Sequence, residues 1–242
     1  MRSEIGASCI KPRKFQKQIE FLLNRGYEFT TLSNLVANKN KPNLIALTFD
    51  DGYQDIYLYA YPILKNLGIP ATLFLIAKYL DRPNTWDINL GRIRFNHLTH
   101  NNIAELIQNG WEIGSHGLSH RLLVGMPTAE MQAEIHDSKK LLEEQFKSEV
   151  RFFCAPFGKL NRKIISEAES AGYQGICGFF PFKYYNHTPP DFIITRLAVY
   201  SFDTLNAVSG KLATNWPLRL EIIKQNVVNF CANGTIIVQK LR

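Results

Sequence analysis

Strand-like and helix-like patterns alternate along the whole chain, and this alternation restricts the fold more than any other feature. Leu44-Ile45-Ala46-Leu47-Thr48-Phe49 is a near-continuous apolar run, the pattern of a strand buried on both faces. A helical stretch follows Asp50-Asp51-Gly52, runs to Leu67 and closes on Gly68, and Ala71 to Ile76 reads as a second buried strand. Strand, helix and strand in that order form the parallel crossover unit. The unit recurs. Helices are expected over Phe15–Arg25, Asn101–Asn109 and Asn161–Ala171, each ended by a glycine. A longer helix carries Met131, Ile135, Leu142 and Phe146 on one face, and another lies near Leu218–Phe230. Further strands are expected at Trp111–Ser115, Phe152–Ala155, Tyr173–Cys177, Ile193–Tyr200 and Thr235–Gln239. About seven strands separated by helices predict a parallel sheet, as an open wound sheet or a closed barrel.

No Pro/Gly/Ser-rich linker, internal repeat or low-complexity tract divides the 242 residues, so one domain over 1–242 is expected. With 45% hydrophobic residues the chain can bury a core without disulfide or metal staples. Its formal charge of +7 favours an anionic partner. The basic stretches are short and lack interleaved aromatics, which argues against nucleic acid. Cys9, Cys154, Cys177 and Cys231 are widely spaced, the pattern of buried thiols rather than a disulfide framework. No apolar run reaches the length of a membrane span. Met1–Arg25 has no hydrophobic segment of the signal-peptide type, so a cytoplasmic location is expected, with membrane-peripheral or extracytoplasmic action left open.

In parallel α/β architectures functional groups gather at the carboxyl ends of strands, and three such ends stand out. At Thr48-Phe49-Asp50-Asp51-Gly52 two adjacent carboxylates would diverge on a continuing strand, but a turn at the glycine lets one bind a metal while the other faces a water. An ordinary acidic turn has the same sequence. At Glu112-Ile113-Gly114-Ser115-His116-Gly117-Leu118-Ser119-His120, histidines at i and i+4 share one face of a helical turn, a spacing that lets both imidazoles reach one cation. At Phe152-Phe153-Cys154-Ala155-Pro156-Phe157-Gly158, Pro156 and Gly158 mark a rigid turn that could aim a backbone N–H at an oxyanion. Together, one Asp, two His and solvent make a plausible open tetrahedral site with a spare carboxylate beside it.

With these segments in place the chain resembles the polysaccharide deacetylases of carbohydrate esterase family 4, the NodB-homology domain. The resemblance is carried by Leu47-Thr48-Phe49-Asp50-Asp51-Gly52, Gly68-Ile69-Pro70-Ala71-Thr72-Leu73-Phe74-Leu75 and Gly110 through His120, in a motif core of about 44–158. It implies a distorted (β/α) barrel and hydrolysis of an N-acetyl group from an acetylamino sugar of a polysaccharide or its lipid-linked precursor. It also implies a divalent metal, zinc first, with cobalt, nickel or manganese accepted by the same donors. By the same resemblance Asp50 matches the catalytic base, Asp51, His116 and His120 the metal ligands, and the Phe157 N–H the oxyanion donor.

Departures from the pattern are equally informative. Cys154 stands where the fullest motif set has an arginine that orients the base. Arg151 lies three residues away and faces the other side of the strand, so Arg196 is the expected replacement. The late-motif histidine is absent; Lys240 falls nearest its position, His187 is a second candidate acid, and the role is unassigned. Met1–Pro12 is polar where such chains open with an apolar strand, so either the barrel lacks a strand or the natural start lies upstream. Trp86 and Asp87 are candidate substrate contacts, and Tyr184 and Tyr185 are aromatics that either stack on sugars or simply pack. Two other readings stand beside deacetylation: an inactive glycan-binding or assembly module, and a metal-dependent hydrolase of a small cyclic amide.

Overall fold

The structure is a computed structural model that describes residues 9–86, 95–179, 191–212 and 223–224. Its framework is parallel throughout. Strands β1 (Glu28–Thr30) and β2 (Leu44–Ala46) pair with each other. A six-stranded sheet runs in chain order through β3 (Thr48–Phe49), β4 (Thr72–Leu75), β5 (Glu112–Ser115), β6 (Phe152–Cys154), β7 (Gly175–Phe179) and β8 (Ile193–Arg196). Helices fill the crossovers: α1 (Pro12–Leu23), α2 (Leu32–Ala37), α3 (Tyr61–Asn66), α4 (His100–Gln108), α5 (Thr128–Gln132), α6 (Ser138–Phe146), α7 (Arg162–Ser170) and α8 (Leu205–Gly210). The alternation predicts such a parallel sheet, and its curled form is the distorted (β/α) barrel that the resemblance implies.

Strand alternation divides the core in two. Leu73, Leu75, Ile113 and Phe153 point outward to the helices and join the larger apolar cluster. Phe74, Phe152, Cys154 and Cys177 point inward and form a smaller cluster with Leu32. The inward rings need room. Phe74 is in register with Gly114, where an added Cβ would lie 2.5 Å from the Phe74 ring. Phe152 is in register with Gly175, where the same addition would meet Ile194 at 2.9 Å. Packed interiors do not absorb such overlaps without displacement.

The amino end of the barrel is plugged. The Leu32 N–H donates to Thr72 Oγ1 at 2.8 Å, while Glu112 accepts from the Ser33 N–H at 3.1 Å and from Thr72 Oγ1 at 2.9 Å. Closing that end with α2 leaves the carboxyl ends of the strands as the working face.

Several details differ from the sequence expectations. Leu44–Phe49 is broken at Leu47 and half-buried rather than covered on both faces, because β2 pairs only with β1 and β3 is the edge of the larger sheet. The strand expected over Ile193–Tyr200 ends at Arg196, and the one expected from Tyr173 begins at Gly175. The long helix over 128–146 contains a π-helical turn, Ala133–Asp137, and a second such turn, Ile56–Ala60, precedes α3. The strand expected at Thr235–Gln239 and most of the helix near Leu218–Phe230 lie outside the described residues, as do Asp87, Tyr184, Tyr185, His187, Cys231 and Lys240.

Candidate metal centre and catalytic site

Alternation along β3 carries Asp50 into the barrel interior, two residues beyond Thr48, which also faces inward. Continued extension would send the Asp51 carboxylate the other way. Instead Asp51 adopts φ +67 and Gly52 φ +70, so the chain turns and both carboxylates stay on the working face. The turn begins on Asp51 itself, a conformation that an L-residue with a Cβ adopts at a cost.

His116 follows β5 directly. Its Nδ1–H donates to the Cys154 carbonyl at 2.7 Å, which fixes the tautomer and leaves the Nε2 lone pair facing Asp51. His120 arrives by a different route from the one its spacing suggests. Residues 116–120 are not helical: Gly117 has φ +83 and His120 φ +59, and this irregular loop, not a helical turn, makes the two imidazoles converge. The His120 ring is held between aromatics, with Trp86 at 3.8 Å and Phe157 at 4.9 Å between centroids.

His116 Nε2 and His120 Nε2 each lie 3.3 Å from Asp51 Oδ1. That oxygen is buried and makes no hydrogen bond of normal geometry. Donors about 2.0–2.1 Å from a shared zinc stand about 3.3–3.4 Å apart at the edges of a tetrahedron. The spacing, the two-nitrogen-one-oxygen donor set and the unsatisfied oxygen therefore fit a divalent ion. Burial opposes ionisation of Asp51, but the two imidazoles 3.3 Å away outweigh it and hold the carboxyl well below the ordinary range. Burial likewise favours neutral His116, yet its neighbours Cys154 and Asp51 raise its proton affinity. A proton and a divalent ion would compete for the same nitrogen.

Asp50 belongs to a second set of contacts. Arg196, at the end of β8, donates from Nη1 to Asp50 Oδ1 and from Nη2 to Asp50 Oδ2, both at 2.8 Å, and also reaches Thr48 Oγ1 at 3.0 Å. Its Nη2 lies 2.9 Å from Cys154 Sγ. A small residue at 154 leaves the space into which this guanidinium enters from the far edge of the sheet. Burial pushes the Asp50 carboxyl up, and the Arg196 charge and hydrogen bonds bring it below its ordinary value. With 32% of its side chain exposed, Asp50 remains open to the working face. Arg151 is directed elsewhere, to Glu149 and Ser33.

Phe157 sits in a short turn, Pro156–Gly158, at φ +60 and ψ 7. The Gly158 N–H is taken by the Ala155 carbonyl, whereas no described acceptor takes the Phe157 N–H. Asp51, His120 and Phe157 are three of the five non-glycine residues with positive φ among the described residues, so left-handed backbone concentrates at this site.

Of the expected substrate contacts, Trp86 packs on His120 and donates its indole N–H to His97 Nε2 at 3.3 Å. Two contributors were not picked out from sequence. His97 is buried, and its Nδ1 faces the Arg82 carbonyl at 2.9 Å. Glu134 is 4% exposed and lies against the loop joining the two histidines. Its sequence signal was an acid three residues after Met131 on an otherwise apolar stripe.

Comparison with known proteins agrees with this geometry. A family model described as polysaccharide deacetylase matches residues 37–176. The Bacillus subtilis protein YxkH is 34% identical over 175 residues, covering 70% of this chain and 58% of that protein. A poly-β-1,6-N-acetyl-D-glucosamine N-deacetylase of Staphylococcus epidermidis is 27% identical over 184 residues, covering 71% and 61%. The chain thus spans about three fifths of the length of these curated relatives. Among solved structures, IcaB of Ammonifex degensii superposes with a TM-score of 0.73 at 21% identity, over 88% of this chain and 92% of that one. With the family model covering more than half of its residues, this chain belongs to the polysaccharide deacetylase family.

Proposed function

We propose that this chain removes N-acetyl groups from an acetylated amino-sugar polymer. Poly-β-1,6-N-acetylglucosamine is the first substrate class to test, because it is named for the Staphylococcus epidermidis relative. The observation that carries the reading is a three-residue ligand set, Asp51, His116 and His120, with a separately clamped carboxylate, Asp50, beside it. The shared packing of strands and helices supports treating the chain as one domain.

Asp51 Oδ1, His116 Nε2 and His120 Nε2 would hold a divalent ion, zinc first, which when bound would supply Lewis-acid polarisation of the acetamide carbonyl and acidify water. The chain's own groups do the rest. Asp50, kept ionised by Arg196, takes the proton of the attacking water. The Phe157 N–H donates to the carbonyl oxygen as negative charge develops there. The departing amine then takes up a proton. Asp50, protonated in the first step, is the acid that adjoins the site among the described residues.

Three departures favoured an inactive module: Cys154, the missing late histidine and the polar N-terminus. With the Arg196 guanidinium placed on Asp50 from β8, a cysteine at 154 no longer argues against a working base. No described helix is long and apolar enough to cross a membrane.

The direct test is acetate release from β-1,6-linked N-acetylglucosamine oligomers by the zinc-loaded chain. Release that stops on chelation and returns with zinc is expected. Saturable glycan binding with no acetate across a panel of acetylated polymers would instead support the binding module. Arg196→Ala is expected to lower kcat/KM about 100-fold through loss of orientation. It should also move the acidic limb of the pH profile upward, because Arg196 is what depresses the Asp50 pKa. An unmoved limb would remove Arg196 from that role.

A further inference from the structure

The loop that joins the two histidines is irregular, yet its polar groups are held from both sides. Glu134 Oε2 accepts the Leu118 and Ser119 N–H groups, each at 2.9 Å, and Glu134 Oε1 accepts the Ser119 hydroxyl. On the other side, the Ala77 and Lys78 N–H groups donate to the Gly117 and Leu118 carbonyls at 3.1 and 3.0 Å. The Gly117 N–H is taken by Ser115 Oγ at 3.2 Å. The carboxylate lies so close to the loop that a Cβ added at Gly117 would stand 3.1 Å from Glu134 Oε2.

Glu134 is itself set in place by the π-helical turn Ala133–Asp137, in the middle of an otherwise α-helical stretch. That turn is pinned by the neighbouring carbonyl of Ile135, which accepts from Ser138 Oγ and from the Tyr173 hydroxyl, each at 3.0 Å. Ser138 in turn accepts from Ser115 Oγ at 2.7 Å, linking the helix to the end of β5. A buried carboxylate needs its lone pairs satisfied, and among the described residues it is the loop that satisfies this one.

We infer that Glu134 is a positioning residue for the metal centre: it holds Leu118 and Ser119 so that His116 and His120 present Nε2 to one point. It acts through the loop backbone and the Ser119 hydroxyl. The inference rests on the metal-site reading given above, and the test separates the two.

The full chain is prepared unsubstituted and as Glu134→Ala, Glu134→Gln and Ser119→Ala. Zinc dissociation constants are measured by chelator competition, visible spectra are recorded for the cobalt-loaded proteins, and thermal unfolding is followed without metal. Glu134→Ala is expected to weaken zinc about tenfold or more and to change the cobalt bands. Glu134→Gln should recover most of the affinity, because its amide oxygen still accepts both N–H groups. Ser119→Ala removes one donor and should fall between. Unsubstituted affinity and cobalt spectrum in Glu134→Ala, with only a lowered unfolding temperature, would reduce Glu134 to a structural residue and overturn the inference. If Glu134→Ala does not fold, Ser119→Ala decides, and an unchanged zinc affinity there overturns it equally. Absence of zinc from the unsubstituted chain would instead overturn the metal reading, and this inference with it.

Discussion

Asp50→Asn is expected to lower kcat/KM for acetate release by about 100- to 10,000-fold, the range that a positioned general base contributes, while the chain keeps its metal. The substitution is nearly isosteric and leaves Asp51, His116 and His120 intact. What it removes is the ability to accept a proton. It also turns one of the two oxygens that receive Arg196 into an NH₂ group facing a cation. Acetate assay and metal analysis on one preparation make the result decisive. Turnover close to that of the unsubstituted chain would displace Asp50 as base, and loss of the metal would place it among the ligands.

His116→Ala is expected to take the chain from about one bound zinc to nearly none, with loss of all metal-dependent turnover. Two effects act together. One of the three proposed protein ligands disappears, and so does the hydrogen bond from His116 Nδ1 to the Cys154 carbonyl. Zinc should raise the unfolding temperature of the unsubstituted chain, because an ion that binds only the folded state stabilises it by mass action. The same addition should leave His116→Ala unchanged. Full zinc occupancy in that variant would exclude the residue from the ligand set.

Much of the architecture can be read from local pattern. Thr72–Leu75 lies within the run Ala71–Ile76, apolar except for Thr72, and is wholly buried, as a strand covered on both faces must be. Helices that end at Gly26, Gly68, Gly110 and Gly172 do so because each glycine takes the positive φ that terminates a helix. Asp50, Asp51, His116 and His120 stood out because they sit at strand ends, and their roles came from the resemblance to the polysaccharide deacetylases; the structure brings Asp51 to both imidazoles and Asp50 to Arg196.

Local pattern misled where a long-range contact set the local shape. The i, i+4 spacing of His116 and His120 suggested a helical turn, whereas Glu134 and the Ala77–Lys78 amides stabilise an irregular loop with left-handed backbone at Gly117 and His120. A conformation whose cost is met by partners as remote in the chain as Glu134 and Ala77 leaves no periodic trace.

Arg196 marks the boundary between the two kinds of information. Its residue type and the gap at Cys154 suggested it from sequence, but its contact with Asp50 spans 146 residues and exists only because the sheet curls until β8 approaches β3. The amino-acid sequence by itself determined the parallel α/β framework and the types of donor at each strand end, since periodicity, glycine stops and short motifs are local properties. Tertiary structure alone decided which nitrogens and oxygens meet, that Arg196 clamps Asp50 while Asp51 faces both imidazoles, and which buried acid holds the loop between the histidines. Each of these depends on distances between strands that are remote in the chain.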